Sequence, residues 1–306
     1  MNGNWQELLL ISAALKTGLL QSVAAEKQTA EELASKHAYN LRATEIVMEA
    51  LYELGLVGRD RAHYEIRPAA APYVDKNHPF YVANSLLHDS RLLENWTNLA
   101  SAIKTGKSQT RRRSPEELEI FLRSMDEYSR HIAENVISII LKERPQANTI
   151  LDLGGALGTY AKLFAAKGLD VTLIDTLAVT EQAKKELSGT PVKIVAGDFT
   201  KALPEGKFDI VLLSNITHIY KPEKLVQLFQ QVAGSLVDNG VAVIVELIRG
   251  KSKGAAMFGV NMLLHTAGGG TWTLPQYELW LREAGLKIKS VKDMRQGEAL
   301  LIIERA

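Results

Sequence analysis

The chain has 306 residues, 46% of them hydrophobic and 23% charged, the balance of a folded protein with apolar mass for two domains rather than a disordered chain. Its 36 Lys and Arg residues against 35 Asp and Glu leave a formal net charge of +1, so no overall field draws it to nucleic acid or to anionic lipid. The lack of cysteine excludes disulfides, thiolate metal sites and a Cys nucleophile, and it is compatible with the cytoplasm, where we expect the protein.

The apolar run LLLISAAL from Leu8 is far short of the ~20 residues that cross a bilayer, and it has neither the basic start nor the cleavage site of a signal peptide. From Trp5 to about Leu20 the sequence is apolar almost all round, which predicts a helix buried on several sides, with a subunit interface supplying them. Thr29, with Glu32 three residues on, makes a capping box for a short helix. A further helix spans about Leu41 to Leu54 and closes on Gly55. LVGRDRAHYEIRP then alternates as two short strands around a polar turn. Helix, short helix, helix, hairpin is the winged-helix order.

Winged helices commonly read DNA through a basic second helix. Here that helix carries Arg42, then Thr44, Glu45 and Glu49, which argues for subunit pairing and against nucleic acid. The Arg111-Arg112-Arg113 run reads as a solvated loop before Ser114-Pro115-Glu116-Glu117, a second capping box with Pro at the first helical position. The helix it starts runs to about Lys142 and bridges the domains; Pro145 bars continuation.

Beyond Pro145 strands and helices alternate: TILDL, a helix to Lys167, VTLID, a helix to Leu187, VKIVAGD, FDIVLLSN, a helix to Leu236, and VAVIVELI. The pattern specifies an α/β fold, a Rossmann-like, doubly wound, mostly parallel sheet with right-handed crossovers. LKIKSVKDM and EALLIIERA, joined through Arg295, Gln296 and Gly297, add a C-terminal antiparallel hairpin. The division expected is 1–80 as a dimerisation domain, 81–145 as a helical bridge and 146–306 as a cofactor domain.

LDLGGALGTYA from Leu151 places a glycine-rich turn between a strand and a helix, where Gly154 and Gly158 allow close backbone approach to a ligand. Ala156 and Thr159 stand where a dinucleotide fingerprint needs Gly, so NAD is disfavoured. The acid-x-Gly-x-Gly-x-Gly turn of methyltransferases fits better, with Asp152, Gly154 and Gly158 kept. Asp175, ending the second strand, is placed to accept both hydrogen bonds of a ribose diol. Asp198, ending the third, is placed for an adenine amino group beside the Phe199 ring. Strand-end Asp residues also serve as helix caps.

These blocks, in order with FLRSMDEYS from Phe121, LSNITHIY, VIVELI and MLLHTAGGGTWT from Met262, resemble the S-adenosylmethionine-dependent O-methyltransferases of small aromatic and polyketide-like acceptors, including caffeate-type and bacterial phenazine- and antibiotic-tailoring enzymes. The resemblance covers essentially the whole chain. It implies a homodimer paired through an N-terminal winged-helix domain, a role in secondary metabolism, and no metal. It places the general base on His218 and the acid that orients it on Glu246. An imidazole suits removal of a phenolic proton. The resemblance further implies Gly155, Ser214 and Ser129 among the cofactor contacts, and Met125, Met262, His265 and Thr266 about the acceptor.

The chain departs from the plant members at three places. Their second acid aligns with Thr271, the Asp after their catalytic His with Ile219, and a common Lys with Ser214. Two rivals follow: carbon or nitrogen methylation on the same fold without a base, and a regulator that uses S-adenosylmethionine only as a ligand. The acidic second helix argues against the regulator.

Overall fold

The computed structural model describes residues 5–108, 111, 113–294 and 297–306. Arg112 of the arginine run and Arg295 and Gln296 of the closing turn lie outside the described residues. The chain forms two compact units, one of residues 1–94 with 116–127 and one of residues 95–115 with 128–306. The segment 81–145 thus contributes to both.

In the first unit, α1 (Trp5–Lys16), α2 (Leu19–Ala25), α3 (Ala30–His37) and α4 (Leu41–Glu53) precede the antiparallel pair β1 (Val57–Asp60) and β2 (His63–Ile66). The short α5 (Ala71–Val74) and α6 (Ala83–Trp96) follow. The core closes on Leu20, Leu33, Met48 and Leu51, each fully buried and each stabilising the unit by roughly 2 kcal/mol through apolar burial. The Thr29 capping box forms as expected: the Thr29 hydroxyl accepts from the Glu32 N–H at 3.2 Å, and the Thr29 N–H donates to the Glu32 carboxylate at 2.8 Å.

The single helix expected from Trp5 to Leu20 is two helices bent by 64°. Gly18 adopts φ +75 between them, a left-handed residue that ends one helix and caps the next. Burial of α1 is one-sided, with Ile11, Ala14 and Leu15 inside while Trp5 is 62% and Leu9 38% exposed. Among the described residues no single helix is long and apolar enough to cross a membrane.

The helix expected from Ser114 to Lys142 is likewise two, α8 (Pro115–Arg130) and α9 (Ala133–Glu143), after α7 (Leu99–Thr105). At the break the His131 N–H donates to the Tyr128 carbonyl and the Ile132 N–H to the Ser129 carbonyl. These i→i−3 bonds tighten the backbone into turns and interrupt the i→i−4 ladder. Within the first unit, the buried Glu127 of α8 accepts from the N–H groups and side chains of both Asn84 and Ser85 at 2.6–3.2 Å, capping the N-terminus of α6 with a carboxylate.

The second unit is a seven-stranded sheet of order β5-β4-β3-β6-β7-β9-β8. Its strands are β3 (Thr149–Leu153), β4 (Asp170–Asp175), β5 (Lys193–Ala196), β6 (Phe208–Ser214), β7 (Leu236–Glu246), β8 (Leu286–Asp293) and β9 (Ala299–Arg305). The first five run parallel and β9 pairs antiparallel with both β7 and β8. Alternate strand residues divide between two cores. Ile150, Val171 and Leu212 pack with α9, α10 (Thr159–Ala166) and Leu187, which follows α11 (Leu177–Glu186). Leu151, Leu153 and Leu213 pack with α12 (Pro222–Ser235) and with α14 (Leu274–Glu283), which follows α13 (Ala255–His265). Burial on both faces explains the near-continuous apolar strands. Because the chain enters at β3 and later crosses to β6, the strand order reverses between these two neighbours, and sheets of this kind hold ligands at the carboxyl ends of such a pair.

Candidate active site

The turn after β3 is built for close approach. Gly154 has φ +68, Ala156 +49 and Gly158 +84, so three of five residues adopt the left-handed conformation before α10 begins. A Cβ on Gly155 would lie 2.7 Å from Oδ2 of Asp152 and from the Leu173 side chain. One on Gly154 would meet Ile216 at 2.8 Å and Phe199 at 3.5 Å. The structure therefore gathers Gly154, Gly155 and Phe199, buried and edge-on to Tyr220, around one turn.

Asp152 is 1% exposed and its Oδ2 has no hydrogen-bond partner. Burial, reinforced by the nearby Asp175 charge, pushes its carboxyl up to about 7. An unpaired buried carboxylate oxygen beside a glycine cradle calls for a ligand that brings donors or positive charge. Asp175 ends β4, where its Oδ2 accepts from the Ala156 N–H at 3.1 Å and its Oδ1 from the Thr176 N–H at 2.7 Å. The strand tip and the glycine turn are thereby locked together, and burial raises this carboxyl too.

Asp198 does not end its strand, because β5 stops at Ala196. The ladder's last bond is Gly197 N–H to the Asp175 carbonyl, and the chain then turns on Asp198 itself. Its Oδ1 accepts from the Thr200 hydroxyl at 2.6 Å and the Thr200 N–H at 3.1 Å, and Lys201 lies 3.2 Å from Oδ2. The Thr200 hydroxyl, first among these contacts, holds the half-exposed carboxyl below its usual range. Ser214, half-buried at the end of β6, accepts from the Asn215 side chain at 3.3 Å. Met125 and Ser129 lie half-buried on α8.

β6 and β7 are parallel neighbours, with Ser214 beside Val245, so residues just beyond one strand meet the end of the other. Asn215, at φ +54, turns the chain out of β6 into a single 3₁₀ turn over Thr217–Ile219, a conformation that Asn tolerates better than most residues. This turn sets His218 against Glu246, the last residue of β7. His218 Nδ1 is 2.9 Å from Oε2 and 3.1 Å from Oε1 of Glu246, and the His218 N–H adds a bond of 3.2 Å. Glu246 is 1% exposed and the His218 side chain 12%. A carboxylate only accepts, so Nδ1 carries the hydrogen, and the neutral form of the His218 ring has its bare nitrogen at Nε2.

The glycine triplet clamps this turn from the other side. The Gly270 N–H donates to the His218 carbonyl at 2.9 Å, and a Cβ on Gly269 would lie 2.1 Å from that oxygen, so nothing larger fits. Phe258 packs edge-to-face on the His218 ring with centroids 5.0 Å apart. Met262 and His265 fall four and seven residues beyond Phe258 on α13, the spacing of one helical face. The Nδ1 of His265 is 2.8 Å from the Asn261 carbonyl. The Thr266 hydroxyl donates to the Met262 carbonyl at 2.7 Å and accepts from the Gly269 N–H at 2.9 Å, so it joins the helix end to the glycine loop. Neither Ile219, 39% exposed, nor Thr271, bonded at 2.9 Å to the Ala255 carbonyl, brings an acid to the dyad.

Residues 96–287 match the family model of the O-methyltransferase domain. The chain belongs to this family. It is an S-adenosylmethionine-dependent O-methyltransferase. Among its relatives, the tetracenomycin polyketide synthesis 8-O-methyl transferase TcmO of Streptomyces glaucescens is 26% identical over 294 residues, covering 89% of this chain and 86% of its own. The 3-hydroxy-5-methyl-1-naphthoate 3-O-methyltransferase of Streptomyces sahachiroi is 26% identical over 316 residues, covering 96% and 90%. Human N-acetylserotonin methyltransferase, solved in complex with SAM, superposes with a TM-score of 0.84 at 20% identity, covering 99% of this chain and 95% of that one. The unpaired Asp152 oxygen and the cradle that a Cβ would fill fit this cofactor, which carries both donors and a positive charge.

Two residues of the site, Thr217 and Tyr277, went unnoticed in the sequence. Thr217 donates to Glu246 Oε1 at 2.9 Å and stands 2.6 Å from the Tyr277 hydroxyl. The only sequence signal was a hydroxyl residue beside the candidate base.

Proposed function

We propose that this enzyme methylates a hydroxyl of a small aromatic or quinone-like acceptor, with His218 as general base and Glu246 orienting it. The observation that carries the reading is the buried carboxylate against Nδ1 of His218 beyond the carboxyl end of β6, which leaves Nε2 as the proton acceptor. Two relatives, named for 8-O-methyl transfer in polyketide synthesis and for 3-O-methylation of a hydroxynaphthoate, support the acceptor class.

In this reading Gly154, Gly155, Asp175, Asp198, Phe199, Ser214 and Ser129 hold the cofactor, and Met262, His265 and Thr266 surround the acceptor. When bound, S-adenosylmethionine supplies an electrophilic methyl group. The acceptor's hydroxyl proton passes to Nε2 of His218, and the oxygen's electron pair becomes available to that methyl group. Glu246 balances the imidazolium charge so formed. Turning toward the acceptor from α13, Phe258 helps exclude water. Residues 1–80 pair two subunits, 81–145 link, and 146–306 carry the chemistry; the outward Trp5 and Leu9 of α1, one turn apart, supply an apolar face for the partner copy.

The test is methyl transfer from labelled cofactor to a panel of hydroxynaphthoates and hydroxyquinones, with the product's methylated atom located by NMR. Oxygen methylation is expected. Transfer confined to carbon or nitrogen acceptors contradicts the reading.

A further inference from the structure

We propose that Thr217 and Tyr277 are positioning residues, a buried relay of hydroxyls that stands in for the acids missing at Ile219 and Thr271 and moderates the pull of Glu246 on the His218 imidazole proton. The inference rests on the reading of His218 as the base.

The direction of the relay follows from proton counting. Glu246 Oε1 accepts from the Thr217 hydroxyl at 2.9 Å and from the His218 N–H at 3.2 Å. A threonine hydroxyl has one proton, and it is committed to the carboxylate. The 2.6 Å contact between Thr217 and Tyr277 is therefore a bond that the tyrosine donates. Thr217, Glu246 and Tyr277 are each no more than 1% exposed, so no solvent competes. Burial, with the Glu246 charge adding to it, holds the Tyr277 phenol well above its ordinary range, and the tyrosine remains a donor wherever the enzyme works.

Both hydroxyls are themselves held in place. The Trp272 indole N–H donates to the Thr217 carbonyl at 3.2 Å. Trp280 packs edge-on against both Trp272 and Tyr277, with centroids 5.3 and 6.0 Å away. Among the described residues, the titratable groups facing His218 are Glu246 from β7 and, one hydroxyl behind it, Tyr277 from α14. From α13 comes the neutral Phe258, and from the glycine loop only backbone.

The chain of donors ends on Glu246, which touches the base. Hydrogen bonds in such a series polarise one another, and they matter most when shielded from water. Each donor to Glu246 stabilises its ionised form and draws charge away from the imidazole. Without them the carboxylate attracts the imidazole proton more strongly, and His218 becomes harder to deprotonate.

The experiment is NMR of histidine-labelled full-length enzyme bound to S-adenosylhomocysteine, with His218→Ala assigning the resonance. The parent should show the Nδ1–H tautomer. Thr217→Val should raise the His218 titration midpoint with the Nδ1–H tautomer kept, Tyr277→Phe should do the same to a smaller extent, and Thr217→Ser should restore the parent behaviour. Turnover of a hydroxynaphthoate by Thr217→Val should drop on the order of 10-fold, the effect of one lost hydrogen bond, at unchanged cofactor affinity. If Thr217→Val does not fold, Tyr277→Phe, which keeps the ring, carries the test. A parent-like midpoint in the folded variants overturns the relay. Undiminished turnover in His218→Ala instead removes the reading of the base and leaves the midpoint result to judge the relay by itself.

Discussion

The Ala156 backbone N–H donates to Oδ2 of Asp175 at 3.1 Å, so the tip of one strand holds the glycine turn that follows its neighbour. A ligand in that turn meets a preformed cradle. The same carboxylate is the candidate partner of the cofactor's ribose, which gives it two tasks. Asp175→Ala should weaken S-adenosylhomocysteine binding by about 1–3 kcal/mol, the cost of donors left unpaired. Calorimetry measures this directly, and unchanged affinity would remove Asp175 from the site.

A second prediction concerns stability against pH. Asp152 ionises at an ordinary value of 3.8 once unfolded, whereas burial lifts it to about 7 in the fold. Between those values the unfolded chain gives up a proton that the folded protein keeps, so stability falls as pH rises through the window. The loss reaches at most ~4 kcal/mol at about 1.4 kcal/mol per pH unit. Urea unfolding of the unliganded enzyme should show this slope, and Asp152→Asn should flatten it. A parallel slope in the variant sinks the assignment.

The third prediction is assembly. One chain is 33.7 kDa, and light scattering should return about twice that mass. Because Trp5 and Leu9 face outward while Ile11, Ala14 and Leu15 build the unit's own core, Leu9→Asp should give a folded monomer. A parent already monomeric at micromolar concentration contradicts the pairing.

The second unit was largely legible because its strands alternate residues between two buried cores, a pattern visible in TILDL and FDIVLLSN. The family resemblance pairs His218 with Glu246, and the fold brings them together because one follows β6 and the other ends its parallel neighbour β7. The missed features had weak local signals or none. Gly18 breaks a helix that its apolar neighbours would otherwise continue, and His131 breaks another with no Gly or Pro present. Glu127 meets Ser85 across 42 residues, and Tyr277 meets Thr217 across 60; only the folded topology brings such partners together. The turn at Asp198 was misplaced because its oxygens serve Thr200 and Lys201, while the sequence shows only an acid near a strand.

A fourth prediction separates orientation from proton transfer. Glu246→Gln keeps the shape beside His218 but replaces a charged acceptor with an amide, so the imidazole loses both its preferred tautomer and its counter-charge. Turnover should fall by roughly 10-fold or more, less than for loss of the imidazole itself. Steady-state kinetics that show a raised KM with kcat unchanged would assign Glu246 to binding.

The central claim is that His218 takes the acceptor's proton, and the rate of methyl transfer in a single turnover, followed against pH for the parent and His218→Ala on one hydroxynaphthoate, tests it most directly. The account predicts a parent rate that declines toward acid as the imidazole becomes protonated. It predicts a variant slower by roughly 10² to 10⁴, with that acidic limb gone and cofactor affinity intact. Equal rates and superimposable pH profiles would contradict it and leave His218 a structural residue in an enzyme that works by positioning alone.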